Sequence, residues 1–306
     1  MISQLFIDIE NAFYAQRISA IKKDEEEYID LQKDEFLKDL ASFSTGCAGY
    51  FIEIKPANEN FIQLHIYVND ADDAATIFKI IATSEYTQII KKLRFFHKGG
   101  QANGTVELYF SELLSYNSFP NLAFFYTQHY SKDGSLIASM DGGFDEGGLG
   151  GKILDSMPQL RTLNLVSAPN ENFFQREFHP IETLEVRAGY DNNNFIERLS
   201  VANCFPKLKH FSYQDINIEF NQIPEDSVLA YEVIEKFMES KNFPELEVLS
   251  LIELKLTEKQ LEKLKNTHLG RTIKTLVLAN QRDEGYENSE EYRQKRDWFI
   301  NAYFSY

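Results

Sequence analysis

Apolar residues recur along this chain in one pattern, apolar-Pro-x-Leu-x-x-Φ-x-Φ, where Φ is apolar. It reads MPQLRTLNL at Met157–Leu165 and FPELEVLSL at Phe243–Leu251. Looser copies are FPKLKHFSY at Phe205–Tyr213 and FPNLAFFYT at Phe119–Thr127. The second half of the pattern recurs alone at Ile181-x-x-Leu184-x-Val186, Ile273-x-x-Leu276-x-Leu278 and Ile90-x-x-Leu93-x-Phe95. Val106-x-Leu108-x-Phe110 reads as a degenerate further copy. Period-2 alternation predicts a short strand at each site, with pairs such as Leu163 and Leu165 or Leu249 and Leu251 turned inward. The leading proline predicts an extended approach and a stop for the preceding helix.

The flanking segments carry other periods. Residues 1–45 read as helix, with Ile2, Phe6, Ile9 and Phe13 on one face and Tyr28, Leu31, Leu37 and Leu40 on a second helix. Residues 50–68 alternate as a β-hairpin around the turn formers Pro56–Asn60. Asp70–Asp73 opens a helix expected to bury Ala75, Phe78, Ile81 and Ala82. Between the strands, Phe195, Ile196 and Leu199 form a short helical face, and Val228, Leu229, Val233, Phe237 and Met238 a longer one. Thr257–Gln260 matches a capping box ahead of Leu261 and Leu264. Ser289–Tyr303 reads as a terminal capping helix with Tyr292, Trp298, Phe299 and Ala302 as its contacts. The expected division is an α+β region at 1–87, repeats at 88–285 and a cap at 286–306.

The repeat region, about residues 88–280, resembles the irregular leucine-rich-repeat proteins of bacteria. MPQLRTLNL and FPELEVLSL carry most of that resemblance. The ladder Asn or Cys of regular repeats is missing: VSAPN follows Leu165, and IELKL follows Leu251. The resemblance implies an α/β solenoid, with a parallel sheet lining the concave face and a helical or irregular convex side. Such faces commonly bind proteins, an analogy of fold rather than a derivation of function. Residues 1–87 carry no family resemblance.

Strand alternation nominates the concave side chains: Phe124, Tyr126 and Gln128; Thr162, Asn164 and Val166; Thr183, Glu185 and Arg187; His210, Ser212 and Gln214; Val248, Ser250 and Ile252; Thr275, Val277 and Ala279. The candidate partner contacts among these are Phe124, Tyr126, Gln128, Asn164, Glu185, Arg187, His210, Ser212 and Gln214. In the segments that follow the strands, carboxylates outnumber bases, which predicts a negative rim that includes Asp191, Asp215 and Asp283.

Composition narrows the function classes. The 306 residues are 43% hydrophobic and 14% aromatic, enough for a continuous core. No apolar run is long enough for a transmembrane helix. MISQLFIDIENAFYAQ lacks a basic region and a small-residue cleavage site, so no signal peptide is expected. Cys47 and Cys204 stand alone, which fits a reduced cytoplasmic compartment and forms neither a disulfide framework nor a zinc site. The net charge of −16 disfavours nucleic acid and favours a basic partner.

Met140–Gly151, MDGGFDEGGLGG, could hold a hard cation through Asp141, Asp145 and Glu146, but its spacing does not match an EF-hand. We read it as an inter-repeat loop leading into a short helix. No HExxH, GxSxG, CxxC or GxGxxG occurs, and the histidines are scattered. His97, His129 and His210 would converge only if the sheet aligned them. The expectation is a non-catalytic cytoplasmic protein-binding module, monomeric when free, without metal or cofactor, and without nucleic-acid or membrane partners. Its concrete form is an inhibitor or immunity protein that neutralises a basic toxin or nuclease; the alternative is a scaffold subunit of a larger assembly.

Overall fold

The computed structural model describes residues 4–5, 7–9, 11–12, 15, 50–68, 71–98, 106–114, 118–130, 138–140, 147–188, 192–215, 229–252 and 256–279. Its main element is a nine-stranded sheet. The first two strands are β1 (Tyr50–Pro56) and β2 (Ile62–Val68), paired antiparallel from Tyr50↔Val68 to Pro56↔Ile62. The turn between them closes because Asn58 Oδ1 accepts from the Asn60 and Phe61 N–H groups at 3.0 and 3.1 Å. Every later pairing in this sheet is parallel: β2 to β3 (Ile90–Lys98), then β5 (Phe124–Tyr130), β7 (Thr162–Leu165), β8 (Thr183–Ala188), β9 (His210–Asp215), β10 (Val248–Ile252) and β11 (Thr275–Ala279). Sequential parallel strands that each pair with the next give an α/β, open, solenoid-like sheet.

The repeated leucine fixes the register. Leu64, Leu93, Phe125, Leu163, Leu184, Phe211, Leu249 and Leu276 are successive Cα partners across the sheet. All are buried in one core that also holds Leu165, Leu251 and Leu278. The predicted strand at Val106–Phe110 is different. β4 (Val106–Glu107) pairs with β6 (Ala138–Ser139) in a separate two-stranded sheet. Phe110 instead begins helix α3 (Phe110–Leu114), and its ring packs 5.5 Å from Phe125. Apolar alternation over so few residues does not separate a strand from the start of a helix.

The proline has a more specific role than stopping a helix. In all four full copies the amide of the pattern's leucine donates back to the residue before the proline: Leu122 to Phe119, Leu160 to Met157, Leu208 to Phe205 and Leu246 to Phe243, at 3.0–3.2 Å. This is a β-turn with proline at its second position, where its fixed φ belongs. The two ends of each turn are buried, so the turn seats two apolar side chains before each strand begins.

Helices return the chain on the other side. α1 (Ala71–Ile81) and α2 (Ser84–Thr87) connect β2 to β3. Ala74, Ile77, Phe78, Ile81 and Ala82 are buried. Ala75, expected inside, is only half-buried, because the three- and four-residue spacing runs from Ala74. α4 (Leu149–Ser156) is the helix expected after the glycine run. Gly148 has φ 67°, and a Cβ on it would lie 2.5 Å from the Asn172 side chain. A Cβ on Gly151 would lie 3.0 Å from the Asn172 carbonyl oxygen, so part of this glycine run is explained by close packing against a 3₁₀ turn at Glu171–Phe174.

The remaining helices are α5 (Phe195–Val201), α6 (Tyr231–Met238), α7 (Glu258–Lys265) and α8 (His268–Thr272). In α6, Ile234 is buried alongside the expected Phe237 and Met238, while Val233 is only partly buried. Phenylalanines fill the space between helices and sheet, with centroids 5.3 Å apart for Phe173–Phe205 and 5.5 Å for Phe237–Phe243. Thr257 and Gln260 form the expected capping box on α7. Thr257→Ala is expected to cost about 1 kcal/mol in urea unfolding.

The boundary expected near residue 87 lies within one continuous sheet and core, since β2 pairs directly with β3. Of the N-terminal stripe, Ile9 is among the described residues and is buried together with Leu5. The second N-terminal helix and the capping segment 286–306 lie outside the described residues.

A charge ladder marks the N-terminal ends of the strands. The residues just ahead of β7 to β11 are Arg161, Glu182, Lys209, Glu247 and Lys274, alternating in sign across neighbouring strands. Glu182 bridges Arg161 at 2.9 Å and Lys209 at 3.0 Å, and Lys274 meets Glu247 at 2.8 Å. Each also donates its amide to the carbonyl of the rung before it from Glu182 onwards. Isolated exposed pairs contribute little, but a network is worth more. Glu182→Lys, which places three cations in a row, should lower stability by about 1 kcal/mol. A measured loss no larger than that of Glu182→Gln would show that the ladder is inert.

Candidate binding face

The face opposite the helices carries the alternate residues of each strand. In register, one row runs Glu53, His65, Arg94 and Tyr126, and the next runs Tyr67 and Phe96 towards Gln128 of β5. This N-terminal half is accessible. Tyr67 is 39% exposed, Lys92 and Arg94 are exposed, and Phe96, Phe124 and Tyr126 are half-buried.

The aromatic rings form a connected array. Tyr67 and Phe96 stack at 4.6 Å with planes 7° apart. Phe96 and Tyr126 are 6.1 Å apart, and Phe124 and Tyr126 stack at 6.2 Å. The Arg94 guanidinium sits 5.2 Å over the Phe124 ring. Glu53 holds Lys55 at 2.8 Å and approaches His65 Nδ1 at 3.2 Å. Burial, followed by the charge of Arg94, lowers the His65 pKa despite Glu53.

The other half differs from the uniform face expected from alternation. Thr162, Thr183, Glu185, Arg187, Ser212, Val248 and Thr275 are half-buried, and His210 is exposed. Asn164, Gln214, Ser250, Ile252 and Val277 are buried. Asn164 and Gln214, nominated as partner contacts, are thus buried in this structure. Asn164 Nδ2 donates to Glu185 Oε2 at 2.8 Å, and the Thr127 hydroxyl donates to the Asn164 carbonyl at 2.8 Å. The side-chain bond forms where β5 and β7 pair only at Phe124↔Thr162 and Phe125↔Leu163. Val166, also nominated for the face, is buried beyond the end of β7.

The side chains nominated from the sequence include Phe124 and Tyr126 of this array and leave out Tyr67, Lys92, Arg94 and Phe96. Their signal was present in the alternation around Leu64, Leu93 and Phe95. Gln128 lies in β5 as the Cα partner of Phe96, and Asp215 is the last residue of β9. Asp191 and Asp283 lie outside the described residues, as do Asp141, Asp145 and Glu146 of the glycine loop and Cys47. Among the described residues no cluster of three metal-ligating side chains occurs, and no helix is long and apolar enough to cross a membrane.

The other described histidines and Cys204 lie elsewhere in the fold. His97 and His129 are neighbours on β3 and β5, while His210 begins β9. Burial pushes the Cys204 thiol up to about 11, away from the reactive thiolate. His179 is buried, donates its amide to the Cys204 carbonyl at 2.7 Å and is pushed down to about 4 by burial. The carbonyls of Leu154 and Met157 oppose that shift, but neither ring nitrogen meets hydrogen-bond geometry. Arg176 spans the adjoining segments, with 3.0 Å to the Gly151 carbonyl and 2.9 Å to Asp155 Oδ1.

No family profile matches the sequence, and no curated protein matches it. Among solved structures, the chain is similar to the crystal structure of a protein from Bacteroides fragilis at 14% identity and a TM-score of 0.49. That match covers 69% of this chain and 58% of the Bacteroides chain.

Proposed function

We propose that this chain is a non-catalytic protein-binding module of leucine-rich-repeat type, whose contact surface is the accessible half of the open face. The observation that carries the reading is the aromatic array Tyr67–Phe96–Tyr126–Phe124 with Arg94 beside it. Aromatic and arginine side chains dominate binding hot spots, and a connected apolar surface is costly to leave in water without a use. The repeat assignment is supported by the shared leucine register and the Pro turn ahead of the strands.

Acid-rich strand-exit segments would draw in a basic partner at long range. An inhibitor or immunity protein covering a basic toxin or nuclease is the concrete version. A scaffold subunit is the alternative, distinguished by a permanent stoichiometric complex. A cytoplasmic setting belongs to the proposal on the strength of the two sparse cysteines.

The test is affinity capture from native cells with the wild type and Tyr67→Ala/Tyr126→Ala as parallel baits, quantified by mass spectrometry. Partners of the face should be retained by the wild type and depleted about tenfold or more by the variant, matching the loss of hot-spot contacts. Identical protein sets on the two baits would remove the face from the proposal.

A further inference from the structure

The chain has an excess of carboxylates, with 47 Asp and Glu against 31 Lys and Arg. At the strand starts the cations Arg161, Lys209 and Lys274 are all paired with carboxylates. On the accessible half of the open face two cations stand close together without one. Lys92 and Arg94 are exposed, and neither side chain has an ion pair or hydrogen bond among the described residues. The described carboxylate on the open side of β1, β2, β3 and β5 is Glu53, and it is engaged by Lys55 and His65. The sign of the surface is thus locally reversed.

The aromatic geometry points the same way. Tyr67 and Phe96 lie on neighbouring strands and stack almost parallel at 4.6 Å, close to the strand spacing. Rings stacked from strand to strand stand upright on the sheet and present their edges outward. Ring edges carry the positive part of the quadrupole, whereas stacking on a base or sugar needs an open ring face. On Phe124 the guanidinium of Arg94 occupies one face. A guanidinium held over a ring, with no side-chain hydrogen-bond partner of its own, keeps its N–H groups available for a bidentate carboxylate.

We infer that the occupant of this half-face is an acidic, extended segment of a partner protein, with carboxylates at alternate positions that meet Lys92 and Arg94. The inference rests on the proposed binding role of the face. Lys92 and Arg94 are two residues apart on β3, about 6–7 Å along a strand, which matches alternate side chains of an extended peptide. The net charge of −16 opposes the approach of any polyanion. It therefore favours a short segment with a few carboxylates over nucleic acid, in which every nucleotide is charged.

The test is panning of a phage-displayed random peptide library on the purified full chain. Enriched peptides, made with a fluorescein label, are then titrated by anisotropy against the wild type, Lys92→Glu/Arg94→Glu, Tyr67→Ala/Tyr126→Ala and Lys259→Glu, an exposed cation of α7 away from the open face. The enriched set should carry Asp or Glu at alternate positions. Its affinity should fall about tenfold or more with Lys92→Glu/Arg94→Glu and stay within about twofold with Lys259→Glu. Peptides with the acids replaced by lysine should regain binding to the charge-reversed protein. If Arg94→Glu prevents folding, as judged by circular dichroism, the exposed Lys92→Glu alone is used, with the same direction of effect.

Neutral or basic peptides that still depend on Tyr67 and Tyr126 would overturn the acidic occupant and leave the protein-binding role standing. Failure to enrich any peptide that depends on either pair would remove both. Tighter binding of fluorescein-labelled single-stranded DNA or RNA oligonucleotides, lost in the same variants, would replace the peptide with a nucleic acid and overturn the inference.

Discussion

Leu249→Ala is expected to lower the unfolding free energy by about 2–5 kcal/mol. Leu249 is fully buried and lies between Phe211 on β9 and Leu276 on β11 in the register row. Phe211 is itself held against Phe237 at 5.6 Å, and Phe237 against Phe243 at 5.5 Å. Stiff aromatic neighbours collapse poorly into a cavity, so the loss belongs in the upper part of that range. The neighbouring strands share the damage because each repeat buries its apolar side only against the next. Urea unfolding should show a lower midpoint with little change in slope if the sheet unfolds as one unit. A loss smaller than about 0.5 kcal/mol would mean that Leu249 does not occupy this row.

The second large effect is acid lability from His179. Its folded pKa of about 4 lies below the ordinary value of 6.5, chiefly because burial penalises the charged ring. The unfolded chain therefore takes up this proton first as pH falls. Stability from this group is full above about pH 6.5, declines between about 6.5 and 4, and is lost below. At roughly 1.4 kcal/mol per pKa unit, the expected loss is on the order of 3 kcal/mol. Arg176 adds to the depression, while Asp155 opposes it. Glu182 and Glu247, lowered by their lysine partners, lose stability in the same direction but only as pH falls through the carboxylate range. His179→Gln should start less stable at pH 7.5 yet show a flatter profile between pH 6.5 and 5. Parallel profiles for the two proteins would assign the acid sensitivity elsewhere.

The sheet was legible from the sequence because its determinants are local and repeated. Period-2 alternation and the common leucine set both the inward residues and the register, so Leu93, Phe125, Leu163, Leu184, Phe211, Leu249 and Leu276 align as read. The hairpin, the capping box of α7 and the helix after the glycine run followed from equally local rules. No local motif, by contrast, encodes a partner.

Tertiary structure decided what local periodicity does not contain. Alternation assigns a side chain to a face but not its access to water, so it could not distinguish exposed Arg94 from buried Asn164, Gln214 and Ser250. It placed Val106–Phe110 in a strand, whereas Phe110 heads a helix that packs on Phe125. The aromatic array arises because parallel register brings Tyr67, Phe96 and Tyr126 from three separate strands to ring-contact distance. The charge ladder likewise exists only once the residue ahead of each strand stands beside its counterpart on the next. Sequence spacing determined which residues point inward and how the strands align; the folded sheet determined which of the outward residues became neighbours and which remained in water, because both depend on contacts between segments far apart in the chain.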